Sequence, residues 1–167
     1  MGHSQGLGRL ALALALGCLS CAYLPAAIER PFRKPGVRLV DFPEKVAAEF
    51  KCASQKLPWF KLETLEVWPK QLGAGKELGY RVVYALCTEG ATDVVTGRLE
   101  TRVVFRGQPI LRAPDPAFDL RPGRWKIDVF VTVPPSASDG LYALELEFRS
   151  PSVRFSRSET FAVTAKK

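Results

Sequence analysis

The chain has 167 residues, 47% hydrophobic, 10% aromatic and 25% charged, with a formal charge of +7. That is one domain's worth of chain, long enough to bury a proper core. Its one histidine is His3 and its one methionine is Met1, so a domain lacking the first residues has no His-based general base, no Ser/His/Asp or Cys/His nucleophile system, and no imidazole or thioether site for zinc or copper.

Arg9 is followed by the uncharged run Leu10-Ala11-Leu12-Ala13-Leu14-Ala15-Leu16, which gives way to Gly17-Cys18-Leu19-Ser20-Cys21-Ala22. A cationic start, a short apolar stretch and small residues at the cut are the parts of a secretory signal. The run falls well short of the about 20 apolar residues of a membrane-spanning helix. Export is therefore expected. Ala15-Leu16-Gly17-Cys18 resembles the lipoprotein box of bacterial lipoproteins, with Ala15 where that family prefers Leu. The resemblance implies that residues 1–17 are a signal peptide and that Cys18 is diacylated as the new N-terminus, with Cys21 as the alternative lipidation site. The address it implies is a membrane anchor facing the periplasm or the cell surface. A plain secretory cut after Ala22, giving a soluble periplasmic or secreted protein, and an uncleaved anchor are the other two readings.

Residues 18–37 carry Pro25, Pro31, Pro35 and Gly36 among small and basic residues, the composition of a tether. Beside a lipid anchor, Arg30, Arg33, Lys34 and Arg38 would lie near the bilayer, where each cation contributes about 1 kcal/mol against an anionic surface. A solvated linker is the alternative. The cationic excess is spread along the chain, without the dense Lys/Arg block of a nucleic-acid site, so no nucleic-acid partner is expected.

Residues 38–58 read as a short helix and its lead-in. Pro43 suits a first helical position, Glu44 and Glu49 punctuate Val46-Ala47-Ala48 and Phe50, and Val46 and Phe50 share a face. Cys52 ends this segment. In an oxidising compartment Cys52 and Cys87 are expected to pair as a disulfide that pins the helix to the sheet. Two buried free thiols are the alternative, and the wide spacing excludes a C-x-x-C redox pair.

Residues 59–167 follow the strand period of two. Leu62 to Trp68 opens the set. Tyr80, Val82, Tyr84 and Leu86 form one inward row, followed by Leu99, Thr101, Val103 and Phe105. Trp125 to Val133 and Tyr142 to Phe148 alternate in the same way, and Phe161 to Val163 closes the set. Turn residues separate the runs, including Glu89-Gly90, Pro122-Gly123, Pro134-Pro135 and Asp139-Gly140. The expected fold is all-β, an antiparallel two-sheet sandwich of about six to eight strands with one short N-terminal helix.

Three stretches give this region a resemblance to bacterial immunoglobulin-like or fibronectin-type-III-like domains. Leu65-Glu66-Val67-Trp68-Pro69 with Gly75 is similar to a first strand and turn. Leu120-Arg121-Pro122-Gly123-Arg124-Trp125 is similar to the entry of a later core strand. Ser138-Asp139-Gly140-Leu141-Tyr142-Ala143-Leu144 resembles a tyrosine corner. Leu144 stands where antibody-type domains have their second core Cys, so no intersheet bridge is implied there. The resemblance bears on architecture and leaves the ligand open.

Candidate site residues fall into three groups. Arg98, Arg102 and Arg106 occupy alternate outward positions, a line about 26 Å long at about 3.3 Å per residue, which could meet phosphates, carboxylates or an acidic partner. A solvated strand face is the alternative. Trp59, Trp68 and Phe130 fall where exposure would suit sugar stacking, or else packing on the helix or tether. Asp115, Asp119 and Asp139 lie in or near turns, where carboxylates also serve hydrogen bonding, and no spaced acidic loop marks a calcium site. No catalytic residue, metal site or cofactor is expected. The leading expectation is a non-catalytic binding or assembly module of the cell envelope, held to the membrane by its lipid and contacting a protein partner. A glycan- or glycolipid-binding module comes second, and a carboxylate-only hydrolase is the distant third.

Overall fold

Alternating apolar residues produce the strands of a computed structural model that describes residues 34–165. The signal peptide, Cys18, Cys21, Arg30 and Arg33 lie outside these described residues. The element order is β1 (Gly36–Asp41), α1 (Pro43–Phe50), β2 (Trp59–Trp68), β3 (Gln71–Gly73), β4 (Glu77–Cys87), β5 (Val95–Phe105), β6 (Gln108–Leu120), β7 (Gly123–Thr132), β8 (Gly140–Arg149) and β9 (Arg154–Thr164).

These strands form a four-stranded sheet of order β1-β7-β4-β2 and a five-stranded sheet of order β3-β9-β8-β5-β6. All pairings are antiparallel except β3 with β9, which run parallel. The protein is thus an all-β, two-sheet sandwich with one short helix, and its described residues form nine strands where about six to eight are expected from sequence; β1, β3 and the 13-residue β6 are not among the runs read from sequence. Gly36 and Val37, read from sequence as the end of the tether, and Arg38 to Asp41, read as lead-in to the helix, add an edge strand to the first sheet. The reason is pairing: Val37 and Leu39 come opposite Ile127 and Trp125 of β7, which gives these residues a neighbouring strand while leaving them an exposed edge.

The core lies between the sheets. Leu78, Leu86, Val103, Leu144 and Phe148 are fully buried, with Tyr142, Phe161, Leu146, Leu120 and Val67 almost so. Each such side chain contributes about 1.5–3 kcal/mol through burial. The tyrosine corner is present: Tyr142 Oη donates to the Ser138 carbonyl at 2.9 Å, and Phe105 stacks on the Tyr142 ring at 4.4 Å.

A second, smaller cluster sits on the outer face of the four-stranded sheet. Val46 and Cys52 pack on Ala85 and Cys87, flanked by Phe50, Leu57 and Trp59. Cys52 and Cys87 are joined by a disulfide. Pro43 does stand in the first turn of α1, and the Lys51 N–H closes the helix on the Ala47 and Ala48 carbonyls. An eight-residue helix is marginal in isolation. Packing and the covalent link hold it. Gly123, at φ 101, opens β7 directly under this corner, where a Cβ would lie 2.8 Å from the Asp41 carbonyl oxygen.

Candidate binding surface

The corner formed by β1, α1 and β2 is organised by a residue that sequence reading does not single out. Arg124, at the start of β7, has a side chain only 15% exposed. Its Nε donates to Glu63 Oε2 at 2.9 Å, its Nη2 to Glu49 Oε1 at 2.7 Å, and its Nη1 to Asp41 Oδ2. Glu63 reaches this place because β2 carries a bulge between Leu62 and Thr64, which re-aims the intervening side chain. Lys45 Nζ donates to Asp41 Oδ1 at 2.5 Å, and the Arg124 guanidinium also lies 5.7 Å from the Phe50 ring.

The electrostatics follow from these bonds. Those from Glu63, Glu49 and Asp41 raise the Arg124 pKa. The bonds from Lys45 and then Arg124 hold the Asp41 carboxyl below its ordinary value, and Arg124 does the same for Glu49. Three carboxylates therefore converge on one guanidinium, and the two whose values move, Asp41 and Glu49, move downwards. A general acid needs a shift in the opposite direction.

Further along the same outer face, Asp128 is 2% exposed. Arg81, directly opposite on β4, grips it with Nε to Oδ1 at 2.7 Å and Nη2 to Oδ2 at 2.9 Å, and Arg38 of β1 stands 3.9 Å away. Arg81 also lies 5.9 Å from the Trp68 ring, which covers Gly79, and a Cβ at Gly79 would collide with the indole.

The aromatic candidates are thereby placed. Trp68 and Phe130 meet edge to face, with 87° between their planes, and Trp59 packs against Phe50 of the helix at 4.5 Å. All are half-buried and make no coplanar strip. The arginine line is broken as well. Arg102 is 26% exposed and pairs with Glu145 at 3.0 Å and Glu147 at 3.6 Å. Arg106 leaves the strand in a left-handed turn at φ 51 and lies over the Phe105 ring, while Arg98 is exposed.

Asp115 and Asp119, read from sequence as lying in or near turns, lie within β6, and each of the three acids has a local partner: Asp119 accepts from Thr96 Oγ1 at 2.6 Å, Asp115 from the Ala117 N–H at 3.1 Å, and Asp139 from the Ala165 N–H at 2.5 Å. Among the described residues no group of three His, Cys, Asp or Glu is arranged to hold a metal ion. The described residues include two small concavities. One of about 180 Å³ lies between α1 and Thr88, and one of about 310 Å³ lies beside Phe105 and Tyr142.

The β1 edge has a different character. Val37 is 55% exposed, Leu39 37%, Val40 49% and Phe42 68%. Among the described residues β1 pairs on one side only, with β7. The other free edges are guarded. β6 carries Pro109, Pro114 and Pro116, β3 has three residues, the stretch of β9 that β3 leaves open bears Arg154, Arg157 and Glu159, and β2 is bulged and bears Lys61, Glu63 and Glu66. Prolines, charges, bulges and shortness are the usual protections of an open edge. β1 has only Arg38 and the Asp41 bulge.

No family model and no curated protein sequence matches the chain. Among solved structures, it is similar to a CARDB domain from Pyrococcus furiosus at 14% identity and a TM-score of 0.46, covering 68% of this chain and 99% of that one. A DNA glycosylase from Pseudomonas fluorescens has 14% identity and a TM-score of 0.45, over 64% of this chain and 30% of that one. Spo0M, a sporulation control protein from Bacillus subtilis, has 14% identity and a TM-score of 0.44, over 64% of this chain and 50% of that one. The chain thus spans about a third to a half of the last two proteins. Among the described residues, no helix is long and apolar enough to cross a membrane.

Proposed function

We propose that this protein is an exported, lipid-tethered binding module of the cell envelope, and that it engages a partner protein by accepting an extended segment of it along β1. The observation that carries the reading is the exposed apolar edge of Val37, Leu39, Val40 and Phe42, beside edges that are all protected. A partner strand would gain main-chain hydrogen bonds from β1, and its side chains would cover Val37 and Val40. The Arg124 cluster supports the same reading. By holding Asp41, Glu49 and Glu63 together it keeps β1 and α1 rigid, so little order has to be gained on binding. A catalytic role has no support in carboxylates that are all bonded to one arginine. A sugar-stacking role has none in aromatics packed edge to face.

Two measurements test this. Mass spectrometry of the mature N-terminus should find a diacylated Cys18. An unmodified terminus beginning after Ala22 would refute the tether. A photo-crosslinker at position 42 should give one discrete adduct in the envelope fraction, mapped to an extended segment of one protein and lost when Val37→Lys and Val40→Lys are introduced beside it. Adducts to lipid alone, or adducts unaffected by the lysines, would refute edge addition.

A further inference from the structure

The outer face of the five-stranded sheet carries an arrangement that folding alone disfavours. Arg98 of β5 stands directly opposite Arg149 of β8, and Arg149 directly opposite Arg154 of β9. Directly opposed residues project to the same side of a sheet, so the three side chains form one transverse row on strands about 4.8 Å apart. All three are exposed, Arg149 at 67%. Like charges directly opposite one another destabilise a sheet.

Little nearby charge relieves them. Glu147 accepts from Arg149 Nε at 2.5 Å but is shared with Arg102 at 3.6 Å. Asp119, near the same end, is already bonded by the Thr96 hydroxyl. Among the described residues neither Arg98 nor Arg154 has an ion-pair partner. The neighbouring row also opposes like charges, Glu100 to Glu147, but there each acid has a cation, Arg112 for one and Arg149 with Arg102 for the other.

The row is also held rigidly. Arg149 and Arg154 flank a tight β8–β9 connection in which Ser150 N–H donates to the Val153 carbonyl at 2.9 Å and Val153 N–H to Ser150 Oγ at 2.8 Å. Phe148 and Phe155, the next pair along these strands, stack at 5.6 Å. Gly97 allows β5 to close on β8, since a Cβ there would lie 2.6 Å from the Arg149 carbonyl oxygen.

We propose that Arg98, Arg149 and Arg154 form a binding site for an anion carrying clustered phosphates. Guanidinium forks match phosphate oxygens two by two, and a preset row of them lowers the ordering cost of binding. The surface is open, so it selects charge density rather than shape, and its affinity falls with salt.

The test is calorimetric titration of the purified full chain at low salt with tripolyphosphate. The wild type is compared with the triple variant Arg98→Gln, Arg149→Gln, Arg154→Gln and with a control pair, Arg106→Gln with Arg112→Gln, at the other end of the same face. The wild type and the control should bind, and the triple variant should lose at least about tenfold in affinity, a difference of about 1.4 kcal/mol. Without ligand, the triple variant should melt at or above the wild-type temperature, because the repulsion is gone. Monomeric dihexanoyl phosphatidylglycerol carries one phosphate and should bind more weakly than tripolyphosphate; equal or tighter binding would overturn the preference for clustered phosphates. No wild-type binding to either probe, equal losses in the control and the triple variant, or a clearly lower melting temperature for the triple variant would overturn the proposal.

Discussion

Asp128 offers a sharp test of how the β1 edge is supported. It is a 2% exposed carboxylate held by both Nε and Nη2 of Arg81, whose own side chain is 19% exposed. Asp128→Ala leaves that guanidinium against the Trp68 ring with its main counter-charge removed. Breaking a buried pair from one side costs roughly 3–5 kcal/mol. The lower end applies here, because Arg81 retains some solvent contact and can rehydrate. A loss of about 3 kcal/mol in a domain of this size corresponds to a fall in Tm of about 10 °C. Urea denaturation with an unchanged m-value should report the same loss as a shift of midpoint. Replacing both residues, Asp128→Leu with Arg81→Leu, should recover most of the stability, since a hydrophobic pair has no desolvated charge to leave behind. Arg38 of β1 also faces Asp128 at 3.9 Å, so amide exchange along β1 should quicken in Asp128→Ala. A loss below about 1 kcal/mol, or a double variant as unstable as the single one, would refute the reasoning.

Three further outcomes follow from the same structure. Replacing Cys52 and Cys87 by Ser opens a loop spanning 35 positions and should cost about 4 kcal/mol in the chain-entropy account, read as the difference between denaturation midpoints of the two proteins; coincident midpoints would contradict it. Asp41 and Glu49 titrate below their ordinary values in the fold, so their contribution is complete above the ordinary carboxylate range and is lost as pH falls through the folded values. Amides of α1 and β1 should therefore lose protection in acid before those of β8, and a uniform loss would show that the cluster does not hold this corner. Burial pushes the Tyr84 hydroxyl up to about 12, although the Arg121 N–H donates to it at 3.0 Å. The raised value means that stability is full below pH 10 and declines as pH rises towards about 12, a decline that Tyr84→Phe should remove in an alkaline denaturation series.

Local signals were legible where the physics is local. The helix was readable from Pro43 and the four-residue spacing of Val46 and Phe50, because both act within one or two turns. The long strands β5, β7 and β8 were readable because each is ten or more residues of alternation with one face in the core. β1 was not, since six residues between Pro35 and Pro43 look like a linker until β7 offers them a partner. Alternation reads Arg98, Arg102 and Arg106 as one outward row. Their differing roles depend on Glu145, Glu147, Arg149 and Arg154, which arrive from β8 and β9. Arg124 and Asp128 looked like ordinary outward residues of β7. Only the approach of α1, β1, β2 and β4 makes one a hub and buries the other.

Hydrophobic alternation and turn residues are written along the chain, and they were enough to determine an all-β sandwich with a short helix; that Cys52 and Cys87 pair, rather than stay free thiols, was decided by the fold that brings them together. Which charges meet was decided by strand order and register. Arg81 reaches Asp128 across 47 positions, Arg124 reaches Glu63 across 61 and Asp41 across 83. A side chain's face can be read from its neighbours in the chain. Its partner is set only when distant strands pair, because a shift of one residue would turn every one of these side chains to the opposite face.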